Sequence, residues 1–256
     1  MSNAAARFVV AVGSGKGGVG KSTVALNVAW ALIRRGWKVG LLDADLYGAD
    51  IPLMLNLARQ RNADRLDFWR RRDVRFEPLE MDGMQIMSVG FLLAERQALT
   101  LAAPLVTAAL RQLVEHVEWR DLDVLMIDLP PGTADLPQQL LDVVALSGAV
   151  VVVGPQDVAH LDARKFVDFL QGAGVRVLGG IENMAGLECP HCGGRINVFA
   201  PVAPERSLWS SQVQRLGQVP LDPALGVADG GGAIQRGAFD DIAARLVSAL
   251  ETPAAA

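Results

Sequence analysis

Residues Arg7–Thr23 read RFVVAVGSGKGGVGKST. A run of apolar, mostly β-branched residues ends at a glycine-rich turn, and a helical pattern begins at Lys21. Within the stretch, Gly15–Ser22 (GKGGVGKS) fits G-x-x-x-x-G-K-[ST] in the strand–loop–helix setting which that pattern requires. Glycines let backbone N–H groups turn inward around phosphate oxygens with no Cβ in the way. The following helix presents its positive end to the same anion. The spacing predicts that Gly15, Gly17, Gly18, Val19 and Gly20 wrap the phosphates of ATP. Lys21 is expected to reach the β- and γ-phosphates, Ser22 to ligate Mg²⁺ and Thr23 to hold the α-phosphate.

Working outward, short apolar runs alternate with helical patterns. Strands are expected at Arg7–Val12, Lys38–Asp43, Gln85–Val89, Asp123–Asp128, Ala149–Val153 and Val175–Ile181. Helices are expected at Lys21–Arg35, Pro104–Trp119, Asp157–Gln171, Pro204–Leu216 and Phe239–Leu250. Strands that are apolar throughout, rather than at every second residue, are buried on both faces, which implies a mainly parallel sheet covered by helices. The β–α alternation predicts a doubly wound α/β fold with its chemistry at the carboxyl ends of the strands. The chain reads as one P-loop ATPase domain over 1–256, with its core at about 8–250 and a frayed tail at 252–256.

Composition narrows the function. Half the residues are apolar (51%) and the formal net charge is −4, which argues against a general nucleic-acid binder, since phosphate affinity rests on clustered Lys and Arg. The one locally basic stretch, Arg59–Arg75, reads as a solvated face or insertion. The N-terminus lacks a charged segment followed by a long apolar one, and no apolar run is long enough to span a bilayer. The expectation is a soluble, cytoplasmic protein without a membrane partner.

Two further features carry chemistry. Asp128 closes the apolar strand DVLMID and leads into LPPGTAD; a carboxylate there is costly unless it meets a cation, and Mg²⁺ supplies one. The only two cysteines, Cys189 and Cys192, lie in ECPHCGG. A C-x-x-C turn aims both sulfurs at one point, whereas a tetrahedral metal or an iron–sulfur cluster takes four ligands. The simplest completion is a two-fold homodimer in which two such pairs make a Cys₄ site. Zn²⁺ in place of the cluster, and a redox disulfide, remain open on these residues alone; His191 reads as a bystander.

The loop carries an early lysine, Lys16, and KGGVGKS resembles the deviant phosphate-binding loop of the MinD/ParA/nitrogenase iron protein class. With DADLYGADIP, DLPPGTAD, GPQDVAHLDARK, GGIENM and CPHCGG in the same order, the chain resembles Mrp/ApbC-type iron–sulfur cluster carrier ATPases over about Phe8–Leu250. The resemblance implies a slow, Mg²⁺-dependent ATPase working as a homodimer. It implies a bridging 4Fe–4S cluster on Cys189 and Cys192 that is passed to apo-proteins. It further implies that Lys16 acts across the dimer interface on the partner's nucleotide. Asp45 would orient the attacking water, Asp43 would support the Mg²⁺ shell, and Asn183 and Asp222 would contact adenine. The family's Arg-Gly-Pro segment is here Leu101–Pro104 (LAAP), and its Gly-rich stretch after the cysteines is Phe199–Pro204 (FAPVAP). The alternatives are a ParA/MinD-like positioning ATPase and a dedicated metal or cofactor insertase for one client enzyme.

Overall fold

The computed structural model describes residues 6–46, 48–57, 75–91, 103–132, 135–189, 191–222 and 236–253. The basic stretch read at Arg59–Arg75 lies outside them apart from its last residue. So do Leu101 and Ala102.

A strongly apolar first strand, β1 (Ala6–Gly13), lies at the centre of the sheet and is buried from Val9 to Gly13. Its parallel neighbours are β5 (Leu122–Asp128) and β6 (Gly148–Val153). Outward from β5 come β2 (Val39–Asp43) and β4 (Met84–Ser88), both parallel, and then β3 (Leu79–Met81), antiparallel at the edge. Outward from β6 comes β7 (Val177–Glu188), which pairs in parallel with β9 (Arg215–Leu221) and, at its far end, antiparallel with the short β8 (Arg195–Ile196). The buried strand runs read in the sequence are therefore parallel members of one sheet.

Helices α1 (Lys21–Arg34) and α6 (Arg236–Glu251) pack on each other, α1 also covering β2 and β5. Helix α3 (Ala103–Glu115) packs on α4 (Asp135–Val143), and α5 (Asp157–Gly172) covers β6 and β7. A four-residue turn of helix, α2, spans Ile51–Met54. Chain order leaves β1 in two directions, toward β2 through α1 and from β5 to β6 through α4. Its carboxyl end is thus the crevice where ligands bind in doubly wound sheets.

Two expectations change. The helix read at Pro204–Leu216 is instead two 3₁₀ turns, Pro204–Arg206 and Leu208–Ser211, followed by β9. Gln212 has φ 59°, a left-handed conformation that breaks any continuing helix and swings the chain into the strand. β7 also runs on to Glu188, well past the expected Ile181, by absorbing an irregularity around Met184 at φ 58°.

Candidate functional site

The strand register assembles the acidic side of the site. Ser88, Asp43 and Asp128 are cross-strand partners on β4, β2 and β5, and Asp128 is also level with Val12 on β1. Partners directly opposite each other project from the same face. The three polar side chains therefore form one row at the carboxyl ends of the strands, beside the loop that follows β1.

That row is buried, with Ser88, Asp43 and Asp128 all at 0% exposure. Lys21, the first residue of α1, is also buried, and its Nζ lies 2.6 Å from Asp128 Oδ1. Ser22 Oγ donates to Asp128 Oδ2 at 2.6 Å. Ser88 Oγ donates to Asp43 Oδ2 at 2.9 Å and accepts the Gly90 N–H at 3.0 Å. Burial drives the Asp128 carboxyl above the usual range, against the pull of Lys21 and Ser22. Burial, then the Asp128 charge, pushes Asp43 up to about 8, while Ser88 and Lys21 pull it back. Two acidic groups share one buried ammonium, so the row ionises fully only when a further cation joins it. A divalent cation is the chemistry that would complete it, so the residues fit Mg²⁺.

The loop is shaped as a phosphate cradle. Gly18 and Gly20 take φ of 79° and 78°, the left-handed region where a side chain is strained. Gly15 has a different reason to be glycine: a Cβ there would meet the Asp162 carbonyl oxygen at 2.1 Å, so the loop lies directly on the backbone of α5. A cavity of about 190 Å³ is lined by Gly17, Gly18, Gly20, Lys21, Ser22 and Thr23 from the loop, and by Asp45, Asp50 and Pro131 from facing segments. Lys16 is exposed at its rim. Asp45 Oδ1 accepts the Gly48 N–H at 3.1 Å, and the Asp45 N–H donates to Asp43 Oδ1 at 3.2 Å, so the two aspartates are neighbours with different surroundings. Asp43 is sealed in the row, while Asp45 opens onto the cradle.

Asn183 is buried on β7 and its Nδ2 donates to the Val19 carbonyl at 2.9 Å, tying the strand to the loop. Asp222 follows the end of β9 and does not line the cradle. Sequence reasoning missed Ser88, because a serine ending an apolar strand carries no signal until the register places it beside Asp43.

The cysteines sit on the turn between β7 and β8, Cys189 half-buried and Cys192 exposed, both as free thiols. The Cys189 N–H donates to the Gly194 carbonyl at 2.9 Å, and the Gly193 N–H donates to the Cys189 carbonyl at 2.8 Å. Gly193, at φ 69°, makes this tight return possible. Backbone N–H groups of His191 and Cys192, and then the Cys192 side chain, hold the Cys189 thiol below its ordinary pKa, favouring the thiolate that binds metal. Among the described residues no group of three or more His, Cys, Asp or Glu side chains could hold a metal ion, so each described chain offers this pair alone. No helix among them is long and apolar enough to cross a membrane.

Comparison with known proteins identifies the family. The family model described as "ParA: NUBPL iron-transfer P-loop NTPase" matches residues 5–250. The iron–sulfur cluster carrier protein of Pseudomonas fragi is 42% identical over 214 residues, covering 83% of this chain and 72% of that protein. The mitochondrial iron–sulfur protein required for NADH dehydrogenase of Arabidopsis thaliana is 35% identical over 253 residues, 95% of this chain and 79% of that one. Among solved structures, a nucleotide-binding protein of Archaeoglobus fulgidus in complex with ADP superposes with a TM-score of 0.72 at 33% identity, over 90% of this chain and 88% of that chain. The chain belongs to the ParA family of P-loop NTPases, in its NUBPL-type iron-transfer branch.

Proposed function

We propose that this protein is a slow, Mg²⁺-dependent ATPase that, as a homodimer, carries a 4Fe–4S cluster and hands it to apo iron–sulfur proteins. The observation that carries the reading is the half-built metal site. Two exposed or half-exposed thiols, held as a knuckle on the turn between β7 and β8, supply half of a four-ligand set, and the described residues offer no other half. A second copy related by two-fold symmetry supplies the rest. The names of the relatives in Pseudomonas fragi and Arabidopsis thaliana support iron–sulfur cargo over zinc.

At the nucleotide end, the loop N–H groups and Lys21 bind the phosphates of ATP. Ser22 and Asp128, with Asp43 behind them, would hold Mg²⁺, which would supply positive charge against the phosphates. In the present arrangement Lys21 is engaged by Asp128. With nucleotide bound, Lys21 would turn to the phosphates and Asp128 would be free to hold the cation, so the ion pair keeps both groups in place for the loaded state. Asp45, open to the cradle, positions the attacking water. Lys16, exposed at the rim, reaches the partner's nucleotide and offsets charge as the β–γ bond breaks. Asn183 and Asp222 would contact the adenine. Hydrolysis then changes how the two subunits meet, and with it the grip on the cluster.

The test is anaerobic reconstitution with iron and sulfide, followed by absorbance and iron counting on wild type and Cys189→Ala. Wild type should hold about four irons per pair of chains, and the variant none. An iron content in Cys189→Ala equal to wild type would overturn the assignment.

A further inference from the structure

A second cavity, of about 570 Å³, opens beside the knuckle and away from the phosphate cradle. β7 separates the two: Asn183 reaches the phosphate loop, while its neighbour Glu182 faces His160 of α5. One wall is the Phe199–Pro204 segment, the place where the chain departs from the Gly-rich pattern. Trp209, on the second 3₁₀ turn, adds an aromatic face.

The polar side of this cavity is a built arrangement. His160 is 1% exposed; its Nδ1 accepts the Leu208 N–H at 3.1 Å, which fixes the proton on Nε2. The Nε2 atom is itself buried and faces Glu182 Oε1, 3.8 Å away. Burial would raise the Glu182 pKa, but His160, Gln218 and Arg215 outweigh it and keep the carboxyl below its ordinary value, hence ionised. Gln218 Nε2 donates to Glu182 Oε2 at 2.6 Å, and Arg215 Nη2 approaches the same oxygen at 3.7 Å. Arg215 also stacks over the Trp209 ring at 4.2 Å, and Arg195 donates to the Ala185 carbonyl at 2.8 Å. Each guanidinium has five N–H donors, so both keep donors for something else.

Charge and shape then select the occupant. Two arginines against one carboxylate leave the lining with one net positive charge, which suits a monoanion better than a phosphate dianion. The apolar and aromatic wall asks for a hydrophobic body, and the volume is that of a small-ligand site. We propose that this cavity binds an organic carboxylate with an apolar or aromatic body, its oxygens met by the Arg195 and Arg215 guanidinium groups. Such a group comes from a free carboxylic acid or from the C-terminal residue of a peptide. The proposal does not depend on the cargo assigned above.

Calorimetric titration of the full chain with phenylbutyrate and with phenylbutyramide tests it, alongside tetrapeptides ending in Phe with a free or an amidated C-terminus. The acid should bind at least about tenfold more tightly than its amide, because the amide carries no charge for the arginines. Arg215→Gln should weaken the acid by about tenfold or more, with ATP affinity kept as the sign of an intact fold. Should Arg215→Gln fail to fold, Arg195→Gln gives the same readout. Tighter binding of the free-ended tetrapeptide than of phenylbutyrate identifies a chain end as the source; the reverse order identifies a small acid. Acid and amide binding equally, neither acid binding below about 1 mM, or variants that fold and bind the acid as wild type does would each overturn the proposal.

Discussion

Replacing Gly15 by Ala isolates the contact on which the phosphate loop rests. The new methyl would lie 2.1 Å from the Asp162 carbonyl oxygen, 2.2 Å from its carbon and 2.7 Å from the Ala163 nitrogen. All three are backbone atoms within α5, so no rotamer change relieves the clash, and loop and helix must part by roughly 1 Å or more. Overpacking of this kind costs about 1–3 kcal/mol. If the loop yields, the cost falls on nucleotide affinity, which drops by about 5- to 150-fold. If the helix yields, it falls on stability, at about 2–4 °C of melting temperature per kcal/mol for a chain of this size. Gly172→Ala, at the far end of α5, is the control, because a Cβ there meets nothing within 4 Å. Fluorescent ATP-analogue titration and a thermal melt on both variants read the two channels. If Gly15→Ala matches wild type in affinity and in melting, the loop does not rest on α5 as described.

Lys21→Ala should abolish nucleotide binding in the same titration. It should also destabilise the nucleotide-free protein in chemical denaturation, since breaking a buried pair costs about 3–5 kcal/mol, less whatever Asp128 recovers by taking up a proton. Lys16→Ala should leave ATP affinity unchanged and bring hydrolysis to background; turnover near the wild-type rate would remove its role across the interface. Glu182, faced by His160 of α5 and by Arg215 and Gln218 of β9, has a depressed folded-state pKa. Its stabilising contribution is therefore present above the ordinary glutamate range and is lost as pH falls through the folded value. Glu182→Gln should melt below wild type at neutral pH, with the gap closing under acid conditions; a gap independent of pH would contradict this.

The phosphate loop was legible because each constraint on it is local: a strand, a run of glycines and a helix start, adjacent in sequence. The central strands were legible because burial on both faces writes a continuous apolar run, as in Val150–Val153. The region after the cysteines was not. Pro204–Leu216 has helical spacing, yet the left-handed turn at Gln212 and the unpaired edge of β7 draw Arg215–Leu221 into the sheet, a tertiary preference that no local pattern reports. The Lys21–Asp128 pair, separated by 107 residues, exists only because β5 lies beside β1, and the same register brings Ser88 to Asp43. His160 carries no pattern of its own in the sequence, and its place between Leu208 and Glu182 follows from packing that sequence does not encode locally.

Native mass spectrometry of the anaerobically reconstituted protein tests the shared-cluster claim most directly. The predicted species weighs two chains plus one four-iron, four-sulfur unit, and it falls apart into metal-free single chains when Cys192 is replaced by Ser. A cluster found on a lone chain, or a pair of chains that never takes up iron, would contradict it.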